Sequence, residues 1–207
     1  SVEEVLRGEQ TRGPRRISVD GQLVAATDLH AKVDAKMLAH LPLLLHPNPK
    51  RALTVGFGSG GTSWSMTRHN IAVDCVEIEP EVPLSADLFR EQNHGIRQEP
   101  NFHLILNDAR DHLHGTRKRY DAISTDATNL QYKQNGNLYT REYFELMKLR
   151  LTETGIACAW VPLVDISEIE FKILLKTFAA VYEHPSVWMM NHTLTSFAIF
   201  IATPTPL

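Results

Sequence analysis

Glu77, Asp108 and Asp126 each stand at the end of an apolar run, and a fourth run, Ala52 to Val55, opens into Gly56-Phe57-Gly58-Ser59-Gly60-Gly61. Glycines let backbone approach a ligand and adopt conformations closed to other residues. A carboxylate accepts hydrogen bonds from adjacent hydroxyls, or takes a proton from a nucleophile. The acid of Val76-Glu77-Ile78-Glu79-Pro80 follows the first glycine at the roughly 20-residue spacing of a strand, glycine turn, helix, strand and acid. That order is the nucleotide-binding half of a doubly wound α/β fold, with the acid on two ribose hydroxyls. Each acid also has a plainer reading. Asp108 precedes Ala109-Arg110-Asp111, where a helix starts, so it can be an N-cap. Asp126 precedes a polar stretch, Ala127 to Asn137, which a cap explains less well. Glu77 could be a solvated strand-end carboxylate, a reading that weighs less than ribose binding; Glu79 is read as solvated.

The elements that must position these residues follow from periodicity. Strands are predicted over 52–57, 72–79, 102–107, 120–125 and 155–161, and helices over 60–69, 81–93, 109–115, 140–151 and 167–182. The alternation predicts parallel strands joined by crossover helices, whose carboxyl ends bind ligands. The chain then departs from alternation. Val187 to Met190 and Phe197 to Ile201 are joined by Asn191-His192-Thr193, a hairpin with no helix between. A Rossmann-like α/β sheet of seven strands that ends in an antiparallel hairpin is the class I AdoMet-dependent transferase fold. Upstream, Val33, Met37, Leu41 and Leu44 mark a helix over 31–44, stopped by His46-Pro47-Asn48-Pro49. Earlier still, Arg15 to Val19 and Gln22 to Thr27 flank Asp20-Gly21 and read as a β-hairpin. The expected division is an N-terminal hairpin segment, 1–27, and a nucleoside-binding domain, 28–207.

At 207 residues and 43% hydrophobic content the chain can bury one real core. A net charge of −3 offers no basic surface for nucleic acid. None of the ten histidines has metal-site spacing, so no metal is expected. Cys75 and Cys158 lie in apolar runs and read as core residues in a reduced, cytoplasmic compartment. No apolar run is long enough to cross a membrane, and no signal-peptide pattern opens the chain. A first residue, Ser1, that is not methionine implies a piece of something longer.

With these residues in hand, the chain resembles the spermidine synthases, the aminopropyltransferases of polyamine biosynthesis, over most of its length. The resemblance is carried by His40-Leu41-Pro42-Leu43, His46 to Arg51, Val76 to Pro80 and Leu138-Tyr139-Thr140-Arg141-Glu142-Tyr143-Phe144. It is strongest toward bacterial spermidine-synthase-like domains fused to membrane helices, so membrane helices in a longer protein are one expectation. The resemblance implies decarboxylated AdoMet or AdoMet as co-substrate, no metal, an amine or other small nucleophile as acceptor, and a homodimer built by N-terminal strands. It assigns Gly56, Gly58, Ser59 and Gly60 to the donor loop, Glu77 to the ribose, Asp108 to the adenine amino group and Asp126 to catalysis. On that view the 1–27 hairpin serves association, and its removal leaves nucleoside affinity within a few-fold.

The acceptor half departs from the family. Ser59 stands where its GGGDGG loop has aspartate; Asp126-Ala127-Thr128-Asn129 replaces its Asp-x-x-Asp; Asp34-Ala35-Lys36 replaces its Tyr-His-Glu; and Trp160 aligns with its glutamine after strand five. Asn129, Tyr139 and Trp160 are the candidate acceptor-binding residues, although Trp160 also suits a core position and Tyr139 and Tyr143 suit packing. The 127–137 loop reads equally as a lid or as an ordinary surface loop. A diamine needs paired carboxylates, and this pocket has lost most of the family's, so poor turnover of putrescine is expected. Ser59 also bears on the donor: two carboxylates at ~4 Å in a partly buried site repel by on the order of 4 kcal/mol, so serine in place of aspartate could admit AdoMet itself. Three functions stay open: an atypical aminopropyltransferase-like enzyme, an AdoMet-dependent methyltransferase, and a non-catalytic nucleoside sensor in a larger membrane protein.

Overall fold

The computed structural model describes residues 1–4, 13–19, 21–126, 136–164, 166–189 and 197–207. Asn129 and most of the 127–137 loop, with the joint at 191–193, lie outside the described residues. Among the described residues, ten strands form two sheets. The small one comprises β1 (Val2–Glu4), β2 (Arg15–Val19) and β3 (Gln22–Ala26), all antiparallel. The large one comprises β4 (Arg51–Val55), β5 (Ala72–Glu77), β6 (Phe102–Leu106), β7 (Tyr120–Thr125), β8 (Leu151–Pro162), β9 (His184–Met189) and β10 (Phe197–Thr203). Its order is β6-β5-β4-β7-β8-β10-β9, parallel from β6 to β8 and antiparallel through β10 and β9. This is the expected seven-stranded sheet that ends in an antiparallel hairpin.

Helices cover both faces. One face carries α1 (Leu29–Leu45), α2 (Gly61–Thr67) and the short turns α3 (Glu81–Leu84) and α4 (Arg90–Asn93), packed around Leu43, Met66, Phe89 and Ile96. The other carries α5 (Ala109–Gly115), α6 (Arg141–Arg150) and α7 (Glu168–Ala179), packed around Leu113, Tyr143, Phe144 and Phe178. The central strands are buried on both faces, which is why they read as apolar runs rather than as alternating ones.

Local chemistry sets the boundaries. Asp28 caps α1 by accepting from Ala31 N at 3.1 Å. Pro42 lies inside α1 and has no N–H for the Leu38 carbonyl. The Ser124 hydroxyl donates to that carbonyl instead, at 2.9 Å, and so ties α1 to β7. The predicted 81–93 helix is broken: the Ser85 hydroxyl donates to Val82 O at 2.8 Å and ends the first turn, and a 3-10 segment follows. Below the sheet, Asp121 accepts from Lys50 N, Arg51 N and the Thr152 hydroxyl, pinning the starts of β4, β7 and β8.

Candidate active site

The carboxyl ends of β4, β5, β6 and β7 open on one cavity of about 370 Å³. The glycine loop after β4 is its floor. Gly56 has φ +93°, and a Cβ there would meet the Asp126 carbonyl oxygen at 2.9 Å. Gly60 has φ +82°, and a Cβ there would strike the Phe57 ring at 2.9 Å. Both positions exclude side chains, so the loop runs close under β7 and starts α2 at once. The Ser59 side chain accepts from Gly61 N at 3.4 Å, and Ser59 lies on the cavity wall.

Glu77 ends β5 and is 9% exposed. Its Oε2 accepts from Phe57 N at 2.8 Å and its Oε1 from Glu79 N at 2.9 Å. A carboxylate offers about four lone-pair sites, so two remain for a ligand's hydroxyls. Asp108 serves as the N-cap of α5, with Oδ1 accepting from Arg110 N at 2.7 Å and Asp111 N at 3.2 Å. The capping role and a place on the cavity wall therefore coexist.

Asp126 ends β7. The Thr62 hydroxyl donates to its Oδ2 at 2.9 Å, and its N–H bonds Val55 O at 3.0 Å. Burial pushes its carboxyl up to about 6, against the lowering effect of the Thr62 bond. Asp34 of α1 is on the same wall. Its carboxyl is pushed up to about 7, first by burial, then by the charge of Asp126, with Trp160 opposing.

Tyr139 and Trp160 are behind this wall rather than on it. Tyr139 is buried and its hydroxyl donates to the Trp160 carbonyl. Trp160 stacks on Phe197 with centroids 6.2 Å apart. Among the described lining residues are five carboxylates, Asp34, Glu77, Glu79, Asp108 and Asp126, against one cation, Arg110. Among the described residues, no three His, Cys, Asp or Glu gather to hold a metal.

Sequence reasoning missed two parts of the site. The N-terminal hairpin, assigned to association alone, forms a wall: Val24, Ala25 and Ala26 line the cavity, and Ala25 Cβ lies 3.6 Å from where a Gly58 Cβ would be. Asp34 was counted only as a lost aromatic. The signal for it was helical spacing: Asp34 is four residues before the fully buried Leu38, so its side of α1 faces inward.

A family model described as the spermine/spermidine synthase domain matches residues 31–203. The chain belongs to this family. Polyamine aminopropyltransferase of Thermotoga petrophila is 28% identical over 176 residues, covering 83% of this chain and 58% of that protein. Spermidine synthase of Dictyostelium discoideum is 30% identical over 143 residues, covering 68% of this chain and 50% of that protein. The chain thus spans about half the length of these relatives. A crystal structure of spermidine synthase with the transition-state analogue AdoDATO superposes with a TM-score of 0.81 at 22% identity, over 92% of this chain and 67% of that one. Human methyltransferase-like protein 13 in complex with SAH superposes at 0.61 with 21% identity, over 85% and 81%. The fold is the one these transferases share.

Proposed function

We propose that the chain binds an adenosine-containing sulfonium of the AdoMet type and transfers its alkyl group to an amine, as an aminopropyltransferase-like enzyme. The excess of carboxylates around a cavity floored by glycine backbone carries this reading. A nucleoside fits a cavity of about 370 Å³. A sulfonium is a permanent cation, and acidic walls concentrate cations.

Glu77 would hold the ribose with its two remaining lone-pair sites, and Asp108 would take the adenine amino group. The loop of Gly56, Gly58, Ser59 and Gly60 would bring backbone against the donor. In such a transfer the acceptor nitrogen forms a C–N bond as the C–S bond breaks, and one proton must leave the nitrogen. Asp126 is suited to receive it: a carboxylate with a pKa near 6 is ionised enough to act as base and close enough to neutrality to act well. Tyr139 and Trp160, with Asn129, would shape the acceptor end. The reading extends to a homodimer, which light scattering checks, and to a reduced compartment, where Cys75 and Cys158, buried with thiols pushed up to about 12, stay inert.

Decarboxylated AdoMet carries one more net positive charge than AdoMet, so the acid excess favours it. Ser59 favours AdoMet as the second reading, since no aspartate stands there to repel the donor's carboxylate. Titration calorimetry with methylthioadenosine, AdoMet and decarboxylated AdoMet tests the proposal. Binding of all three is expected, decarboxylated AdoMet the tightest, with Glu77→Gln weaker by about 1.5–3 kcal/mol. No binding at millimolar nucleoside removes the proposal, and preference for AdoMet selects the methyltransferase reading.

A further inference from the structure

Among the described acids of the cavity wall, Asp34 is the one with a buried oxygen that no hydrogen bond satisfies. Glu77 and Asp108 hold backbone N–H groups, and Asp126 holds the Thr62 hydroxyl. Asp34 Oδ1 is buried and accepts no hydrogen bond. The indole Nε1 of Trp160 is buried beside it, near enough to favour the charged carboxyl, yet it closes no hydrogen bond of its own. Among the described residues no Lys, Arg or His reaches ion-pair distance of Asp34.

Its neighbours fix its place along the cavity. Leu38, one turn on from Asp34, is tied to β7 through the Ser124 hydroxyl and packs with Ile156 and Cys158 of β8, and the charge that acts most on Asp34 is that of Asp126, just past the end of β7. It therefore belongs to the end where the acceptor meets Asp126, away from the nucleoside end. A half-buried carboxylate with one oxygen left unpaired is costly, and a bound cation that donates hydrogen bonds removes that cost. An alkylammonium does both.

Resting on the transferase reading above, we propose that Asp34 is the specificity-determining acid of the acceptor site, holding the protonated head of an alkylamine against Asp126. The division of labour is then clear. Asp34 admits the acceptor as a cation, and Asp126 takes the proton that leaves it. Position 34 supplies an acid that neither Ser59 nor Asn129 provides, so this chain carries its acceptor carboxylate on α1 rather than on a loop.

The test uses n-butylamine and its neutral isostere 1-butanol, titrated at about pH 8 into protein saturated with methylthioadenosine. Asp34→Asn, which keeps shape and removes charge, is compared with Lys36→Gln, an exposed neighbour on the same helix. The wild type and Lys36→Gln are expected to prefer the amine at least tenfold. Asp34→Asn is expected to lose that preference by about ten- to hundred-fold, with methylthioadenosine affinity retained as the sign of an intact fold. An Asp34→Asn protein that still prefers the amine, or a wild type that binds methylthioadenosine without any preference, overturns the assignment of Asp34 alone. A wild type that binds no methylthioadenosine overturns the transferase reading and this inference with it.

Discussion

Replacing Asp126 by Asn removes a negative charge and keeps an acceptor for the Thr62 hydroxyl. If Asp126 is the base, Asp126→Asn leaves methylthioadenosine affinity within about two-fold and lowers turnover by ~10²–10⁴. If Asp126 is only a cap for the following loop, melting temperature and nucleoside affinity fall together. Its pKa of about 6 gives a second readout. A bound sulfonium favours the ionised carboxyl, so AdoMet should release protons near pH 6 and neutral methylthioadenosine should release few. Calorimetry in two buffers of different ionisation enthalpy measures the difference, and Asp126→Asn should erase it. Asp34 makes a stability prediction. Its carboxyl ionises near 3.8 in the unfolded chain and near 7 in the fold. Between those values the folded state keeps a proton that the unfolded chain releases. Its contribution is therefore fully present below about pH 4 and is lost as pH rises toward 7. Asp34→Asn should melt roughly 3–8 °C above wild type at pH 8 and level with it at pH 4. A gap that does not change with pH would show that the Asp34 charge is not what the fold opposes.

Among the elements, the N-terminal hairpin departs most from its sequence reading. Ile17 is buried in the core, the Gln92 amide donates to Ala26 O at 2.8 Å, and Val24 and Ala25 close over the glycine loop. Removing residues 1–27 should lower methylthioadenosine affinity by at least about tenfold, read by calorimetry. Affinity retained within a few-fold would return the hairpin to association alone. The strands of the large sheet, α1, α5 and α6 were legible because burial on both faces, capping residues and prolines act within a few positions. Glu77 and Asp126 were legible because a strand end is where a ligand meets an α/β sheet. The hairpin's role was not, because its contact with Gly58 joins segments more than thirty residues apart and leaves no local pattern. Nor was the break in the 81–93 helix, which turns on one hydroxyl choosing the Val82 carbonyl. Strand β1 is three residues long and has no periodicity to read.

For the molecule as a whole, the sheet order sets where the chain tolerates loss. β10 is buried along its whole length, from Phe197 to Thr203, and lies between β8 and β9. It pairs with β8 from Phe197↔Pro162 to Ala202↔Ala157, and with β9 from Ala198↔Met189 to Thr203↔His184. Ending the chain at residue 196 should give an insoluble product. β8 would lose one of its two neighbours, β9 would lose the one strand it pairs with among the described residues, and unpaired strand edges associate. Soluble, cooperatively melting protein from that truncation would show that the parallel strands fold without it. The same arrangement bears on synthesis. The ribosome makes β9 before the strand that holds it, and β8 waits through α7 and β9 for its second neighbour. Until β10 emerges, a nascent chain with its cavity already framed by β4 to β7 still presents open apolar edges. This is the stretch of translation in which a holding chaperone matters most for it.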